Sequence, residues 1–260
     1  MPAIITSPRE MQLAADDFRR DGKKLALVPT MGFLHHGHVA LLAAARRSSD
    51  VVVLSIFVNP TQFGPAEDFA RYPRDLEGDL AKATSAGVDL AFVPAVGAMY
   101  PDGYQTWVAV RELARGLCGD RRPGHFDGVA SVVTKLFHIV KPHLAVFGEK
   151  DFQQLAVVRR LVRDLDFDVE IVGVPIVREA DGLAMSSRNA CLSPAEREQA
   201  VVLSRALARA EELHRGGERN AGRLIDEAHA VIAKAPLARV DYVELRNADS
   251  LAPVATLDRP

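Results

Sequence analysis

The stretch Pro29-Thr30-Met31-Gly32-Phe33-Leu34-His35-His36-Gly37-His38 lies between the apolar run Leu25 to Val28 and an Ala/Leu-rich segment, Val39 to Arg47. An apolar run, a short loop and a helical segment read as the first βα unit of a parallel sheet, so the expected fold class is α/β. Ligands in open α/β sheets collect beyond the carboxyl ends of the strands, and the loop is placed there. If the helix begins near Gly37, His35 and His38 both project from its first turn, beside unpaired N–H groups and the positive end of the dipole. An anion fits that site. Gly37, lacking a Cβ, lets a flat group such as a purine approach the backbone. Two bland readings stand beside this one: a histidine as cap or packing residue, and a metal pair, which lacks nearby Cys, Asp or Glu at ligand spacing.

Composition narrows the field. Lys+Arg 32 against Asp+Glu 34 leaves a net charge of -2, which recruits neither nucleic acid nor membrane. Cys118 and Cys191 form no Cys-x-x-Cys pair, so neither a disulfide framework nor zinc is expected, and a reducing cytoplasm is. A buried small residue is the default reading of Cys191. The first residues lack an apolar signal region, and the longest apolar run, Val51 to Val58, is strand-sized. Dehydrogenase and P-loop readings lack their glycine signatures.

Along the chain, Ser7-Pro8-Arg9-Glu10 predicts a helix to about Arg20. Strands are expected at Leu25–Val28, Val51–Val58, Asp89–Val93, Leu144–Phe147 and Val169–Val174, with an edge strand at Gln105–Val110 and a short helical segment to Leu117. Helices are expected at 37–48, 75–85, 127–140 and from Asp151 to about Leu165. Asn59-Pro60-Thr61-Gln62 at the end of the second strand reads equally well as a ligand loop and as a one-turn helix capped by Asn59. Gly148-Glu149-Lys150-Asp151-Phe152-Gln153-Gln154 repeats strand, polar loop and helix. Lys150 there suits phosphate, and a capping box of Asp151 with Gln154 is the alternative.

The character changes near Pro175 to Val177. The polar stretch Val177 to Asn189 carries two hydroxyls and a guanidinium in succession, as a phosphate clamp or as a plain linker. Ser193-Pro194-Ala195-Glu196 starts another helix, with Leu203, Ala206, Leu207, Ala210 and Leu213 at helical spacing up to Gly216-Gly217. A helix at 221–234 and an alternating strand at Val240–Leu245 follow. The expected division is a larger domain, 1–176, and a smaller α+β domain, 177–260.

The segments PTMGFLHHGH, SIFVNPTQFG, DFARYPR, MYPDG, RRPGHFDGV, VFGEKDFQQ and VREADGLAMSSRN, in that order, resemble the pantoate–β-alanine ligases (pantothenate synthetases). These belong to the nucleotidyltransferases with a His-x-Gly-His signature. The resemblance implies a doubly wound, Rossmann-like sheet with a C-terminal lid, and a homodimer. It implies that pantoate and ATP form pantoyl adenylate and pyrophosphate, after which β-alanine displaces AMP. By the same resemblance His35, His38, Lys150 and Arg188 are catalytic, on the ATP phosphates with Ser186 and Ser187. Met31, Gly37, Gly148, Asp151, Val177 and Met185 complete the ATP site. Gln62 and Gln154 hold pantoate, with Met31, Phe63, Asn59, Tyr72, Arg122 and His125 around it. Mg²⁺ is held mainly by ATP rather than by protein ligands. The family continues past Leu257-Asp258-Arg259-Pro260 into a further strand, so the lid is expected to lack its last strand. Two other readings remain: a nucleotidyltransferase acting on a phosphate ester, which the neutral amides of Gln62 and Gln154 disfavour, and a nucleotide-binding regulatory module without catalysis.

Overall fold

A computed structural model describes residues 1–65 and 67–258, and divides into two units, Met1–Ile176 and Val177–Pro260. The first unit is a six-stranded, all-parallel sheet, and the chain has an α/β fold. Its strands are β1 (Ala3–Ile5), β2 (Leu25–Thr30), β3 (Val51–Ile56), β4 (Leu90–Phe92), β5 (Leu144–Gly148) and β6 (Glu170–Val174), in the order β1-β4-β3-β2-β5-β6. The order reverses between β2 and β5. Successive crossovers leave β2 in opposite directions, so the loops after β2 and β5 flank one crevice, the switch point of such a sheet.

Both faces of the sheet are covered, which explains why its strands are apolar without interruption. Leu25, Leu27, Val51, Val53 and Phe147 pack on one face, with residues of α1 (Pro8–Arg20), α6 (His125–Val140) and α7 (Phe152–Asp164). Ala26, Val28, Val52, Leu54 and Val146 pack on the other, with α2 (His36–Ser48) and α3 (Leu76–Ser85). Helix starts follow local chemistry: Ser7 caps α1 by accepting from Glu10 N, and Asp75 caps α3 by accepting from Gly78 N.

Several expectations are corrected. The sheet ends at β1 and β6, of which β1 is not among the expected strands, and Gln105–Val110 is irregular. A side chain takes the place of a ladder there: Ser131 Oγ on α6 accepts from Val108 N at 2.9 Å and donates to Val108 O at 3.3 Å. Beyond the four-residue α4 (Val96–Met99), the short helix expected to end at Leu117 begins there, as α5 (Leu117–Arg121). Asp151 makes no side-chain cap, so the Asp151–Gln154 box does not form; a 3-10 turn, Glu149–Asp151, leads directly into α7.

The second unit contains α8 (Pro194–Ala200), α9 (Val202–Arg215) and α10 (Ala221–Ile232). Ser193 and Glu196 form the reciprocal capping box their spacing predicts. The expected continuous helix is interrupted at Val201, and the buried positions around the break are Val201, Val202 and Ala206. Val202 and Ala206 pack on Ala228 and Ile232 of α10, while Leu203 and Leu207 stay 55% and 59% exposed. Val240–Leu245 is not a strand: among the described residues the pairing in this unit is limited to isolated bridges. Of its apolar residues Val243 packs against the helical core, while Val240 and Tyr242 are exposed. Cys191 is exposed at the end of the 3-10 turn Ser187–Cys191, not buried. Arg259 and Pro260 lie outside the described residues.

Candidate active site

The loop after β2 delivers a pair of interlocked histidines. His35 is the N-cap of α2, with extended backbone, and its Nδ1 accepts from Gly37 N at 3.1 Å. His38 Nδ1 accepts in return from His35 N at 3.2 Å, and the ring centroids are 4.0 Å apart. The capping reading of the sequence is realised: the two rings close the first turn of α2. A backbone N–H can only donate, so both Nδ1 atoms are acceptors and each neutral ring carries its proton on Nε2. Burial first, then the neighbouring His35 ring and the Lys150 ammonium, push the His38 pKa down to about 3. His38 is therefore a neutral N–H donor at physiological pH.

Lys150 arrives from the other side of the switch point, on the turn after β5, and is close enough for its charge to act on His38. Its ammonium also meets Asp151 at 3.5 Å, and both side chains reach solvent. The crevice thus gathers two imidazoles, a cation and the start of α2, an arrangement able to accept negative oxygens.

A second cluster lies at the end of β3. Asn59 is 1% exposed and caps the 3-10 turn Pro60–Gln62. Its Oδ1 accepts from Thr61 N, Thr61 Oγ1 and Tyr100 Oη, and its Nδ2 donates to Gln62 Oε1 and Gly128 O. The Asn59 amide is spent inside the fold. Gln62 in turn touches Met31, Nε2 to Sδ at 3.4 Å. Phe63 packs edge-on against Tyr72, which is buried.

Arg122, at the end of α5, and His125, the first residue of α6, grip this turn. The Arg122 guanidinium donates to both carboxylate oxygens of Glu67 and to Gln62 O. His125 Nδ1 lies 2.8 Å from Gln62 O, and its Nε2 lies 3.2 Å from Arg122 Nη1. A carbonyl needs a donor and a guanidinium needs an acceptor, so His125 is the neutral Nδ1–H tautomer. Burial lowers its pKa, with help from the Arg122 charge. In this state both residues brace the backbone of Gln62.

Of the two adjacent glutamines, Gln154 is half-buried on the first turn of α7, while Gln153 turns inward and is 6% exposed. Gln153 Oε1 accepts from Cys118 N, and its Nε2 donates to the carbonyls of Leu113, Arg115 and Gly116. Residues 113–118 are thus tied to the helix that follows Lys150. Sequence reading missed this brace, and missed Asp79, whose buried carboxylate bonds the loop before His35. Nothing in the helical pattern of 76–85 separates Asp79 from a solvated residue.

In the second unit, the segment from Val177 doubles back, Met185 N donating to Val177 O and Glu179 N to Leu183 O. Arg197 on α8, which no motif singled out, pins the fold-back by donating to Glu179 at 2.6 Å and Asp181 at 2.7 Å. Its guanidinium holds both carboxyls below their ordinary range. Ser186 caps the 3-10 turn by accepting from Arg188 N at 3.3 Å, Ser187 is buried and Arg188 is exposed.

Fold and first-unit site together define an α/β protein of the doubly wound class, with a switch-point crevice lined by donors suited to an anion. Residues 3–259 match the family described as Pantoate-beta-alanine ligase, and the chain belongs to that family of enzymes. The pantothenate synthetase of Trichlorobacter lovleyi is 57% identical over 253 residues, 97% of this chain and 89% of the relative. That of Myxococcus xanthus is 54% identical over 98% of this chain and 88% of its own. The crystal structure of pantothenate synthetase from Thermus thermophilus superposes with a TM-score of 0.93 at 47% identity, covering 98% of this chain and 91% of the other. A Francisella tularensis pantoate–β-alanine ligase, described as complexed with β,γ-ATP and β-alanine, superposes with a TM-score of 0.79 at 34% identity, covering 89% and 86%. The reaction class is therefore ligation of pantoate to β-alanine, giving pantothenate.

Proposed function

We propose that the ligation proceeds through an acyl adenylate. The pantoate carboxylate, ionised at neutral pH, attacks the α-phosphorus of ATP; the P–O bond to the β-phosphate breaks and pyrophosphate leaves. The β-alanine amine then attacks the acyl carbon, the C–O bond to AMP breaks, and the amine loses a proton. The first step needs no strong base. It needs in-line approach and donors for charge growing on the phosphoryl and pyrophosphate oxygens.

The observation that carries this reading is the tautomer of the histidine pair. With each Nδ1 held by a backbone N–H, Nε2–H of His35 and His38 is the donor for phosphate oxygens, beside Lys150. Gly37, Gly148 and Asp151 belong to the same ATP site. For the second unit, the resemblance assigns Val177, Met185, Ser186, Ser187 and Arg188 to ATP. Gln62 and Gln154 take the hydroxyls and carboxylate of pantoate, with Met31, Phe63 and Tyr72 as its apolar wall. Asn59, Arg122 and His125 act on pantoate through Gln62, since their polar groups are engaged there.

Residues 1–176 are the nucleotide- and pantoate-binding domain in this reading, and 177–260 the lid. Mg²⁺ enters on the phosphates of ATP, as the resemblance implies. Among the described residues no helix is long and apolar enough to cross a membrane. The resemblance adds a cytoplasmic homodimer, whose oligomeric state light scattering of the purified chain tests.

The deciding experiment is ATP–pyrophosphate exchange in Mg²⁺ buffer with pantoate and without β-alanine. Exchange is expected. Pantothenate formation without any exchange overturns the adenylate route.

A further inference from the structure

Asp79 is a carboxylic acid at 1% exposure with no salt bridge among the described residues, and the helix it belongs to is capped by another residue, Asp75. Its two oxygens are used one each on consecutive backbone amides. Phe33 N donates to Oδ2 at 2.8 Å and Leu34 N to Oδ1 at 2.6 Å. These amides lie far away in sequence, in the loop that ends at His35. Burying such a group is costly unless it is well bonded, and here the bonds go to the loop.

The loop is shaped around this carboxylate. Gly32 has φ +84, and a Cβ there would lie 2.9 Å from Asp79 Oδ2 and 3.0 Å from Ile56 Cγ2. Phe33 has φ +51, a left-handed conformation that a bulky side chain rarely adopts. Two successive residues outside the ordinary regions reverse the chain between β2 and α2, and a fork of two oxygens holds the amides that result. The next residue caps α2 with its imidazole, and the direction of that cap sets where both rings point.

We propose that Asp79 is a positioning residue for the histidine pair: by gripping Phe33 N and Leu34 N, its carboxylate fixes the kink that orients His35 and His38. A carboxylate suits this role where an amide does not, because asparagine offers one acceptor and turns an N–H toward the second donor. Asp79 touches no substrate atom in this account. The proposal rests on the reading of the histidines as phosphate donors, but the geometry it invokes is measurable without any substrate.

The test is Asp79→Asn in the full chain, followed by ¹⁵N-detected imidazole spectra and by exchange kinetics. In the parent protein the Nδ1 atoms of His35 and His38 give acceptor-type resonances and Nε2 gives protonated ones. In Asp79→Asn the two rings are expected to lose that fixed pattern, and the exchange kcat to fall at least tenfold with the KM for pantoate within about twofold. A folded variant with unchanged histidine resonances overturns the proposal, as does one with changed resonances and unaltered kcat. Should the Asn variant fail to fold, Asp79→Ser, which brings no opposing N–H, is measured in the same way; failure of both makes Asp79 a determinant of folding and overturns the positioning role. If the parent itself shows no exchange, the adenylate reading fails, while the imidazole spectra still decide the case of Asp79.

Discussion

His35 and His38 bond each other's turn: the backbone N–H of His35 is held by the ring of His38, while the ring of His35 holds Gly37 N. One arrangement closes the start of α2 and selects the tautomer that presents Nε2–H. Structure and chemistry use opposite edges of the same two rings.

The neutral state of His38 makes stability depend on pH with a definite sign. Its folded pKa of about 3 lies below the ordinary 6.5, so between these values the unfolded chain binds the extra proton. Stability from this group is complete above 6.5 and declines as pH falls toward 3. Thermal melts over that range are expected to show the decline, and His38→Gln to flatten it without removing it, because His125 and His143 are shifted the same way.

A division of labour between the histidine pair and Gln154 is expected in kinetics. His38→Ala removes a donor for charge that develops in the transition state and should lower kcat by roughly 100-fold or more, with the KM for pantoate little changed. Gln154→Ala should do the reverse, raising the KM for pantoate about tenfold. Steady-state kinetics with varied pantoate separate the two; equal KM effects would dissolve the division.

Arg122 and His125 are expected to act on pantoate through Gln62. Arg122→Lys keeps the charge but loses the two-pronged grip on Glu67 and the bond to Gln62 O, so it should behave like Arg122→Met. Both should raise the KM for pantoate by about tenfold, leaving the KM for ATP within about twofold. Rescue by lysine would show that charge alone matters.

Gly128 is where α6 meets the Pro60–Gln62 turn, and a Cβ there would lie 2.4 Å from Thr61 O and 2.6 Å from Gln62 N. Both of these atoms are backbone, so no flexible group is there to yield. Gly128→Ala should cost about 2 kcal/mol or more, within the usual range for overpacking, and shift Gln62 as well. Chemical denaturation measures the first effect and the KM for pantoate the second.

Much of the fold was determined by sequence alone, because a strand buried on both faces must be apolar throughout and a helix start must satisfy its own N–H groups locally. That is why β2, β3 and β5, the Ser7 and Ser193 caps and the His35–His38 loop were all legible. Strand pairing was different: Gln105–Val110 reads as an edge strand and Val240–Leu245 alternates, yet a strand exists only where a partner supplies the other half of each hydrogen bond. The burial of Asp79, the inward turn of Gln153, the Arg122–His125 grip on Gln62 and the reach of Arg197 to Glu179 and Asp181 were decided by tertiary structure. Each joins groups distant in sequence, and no local period or cap distinguishes such a side chain from one left in water.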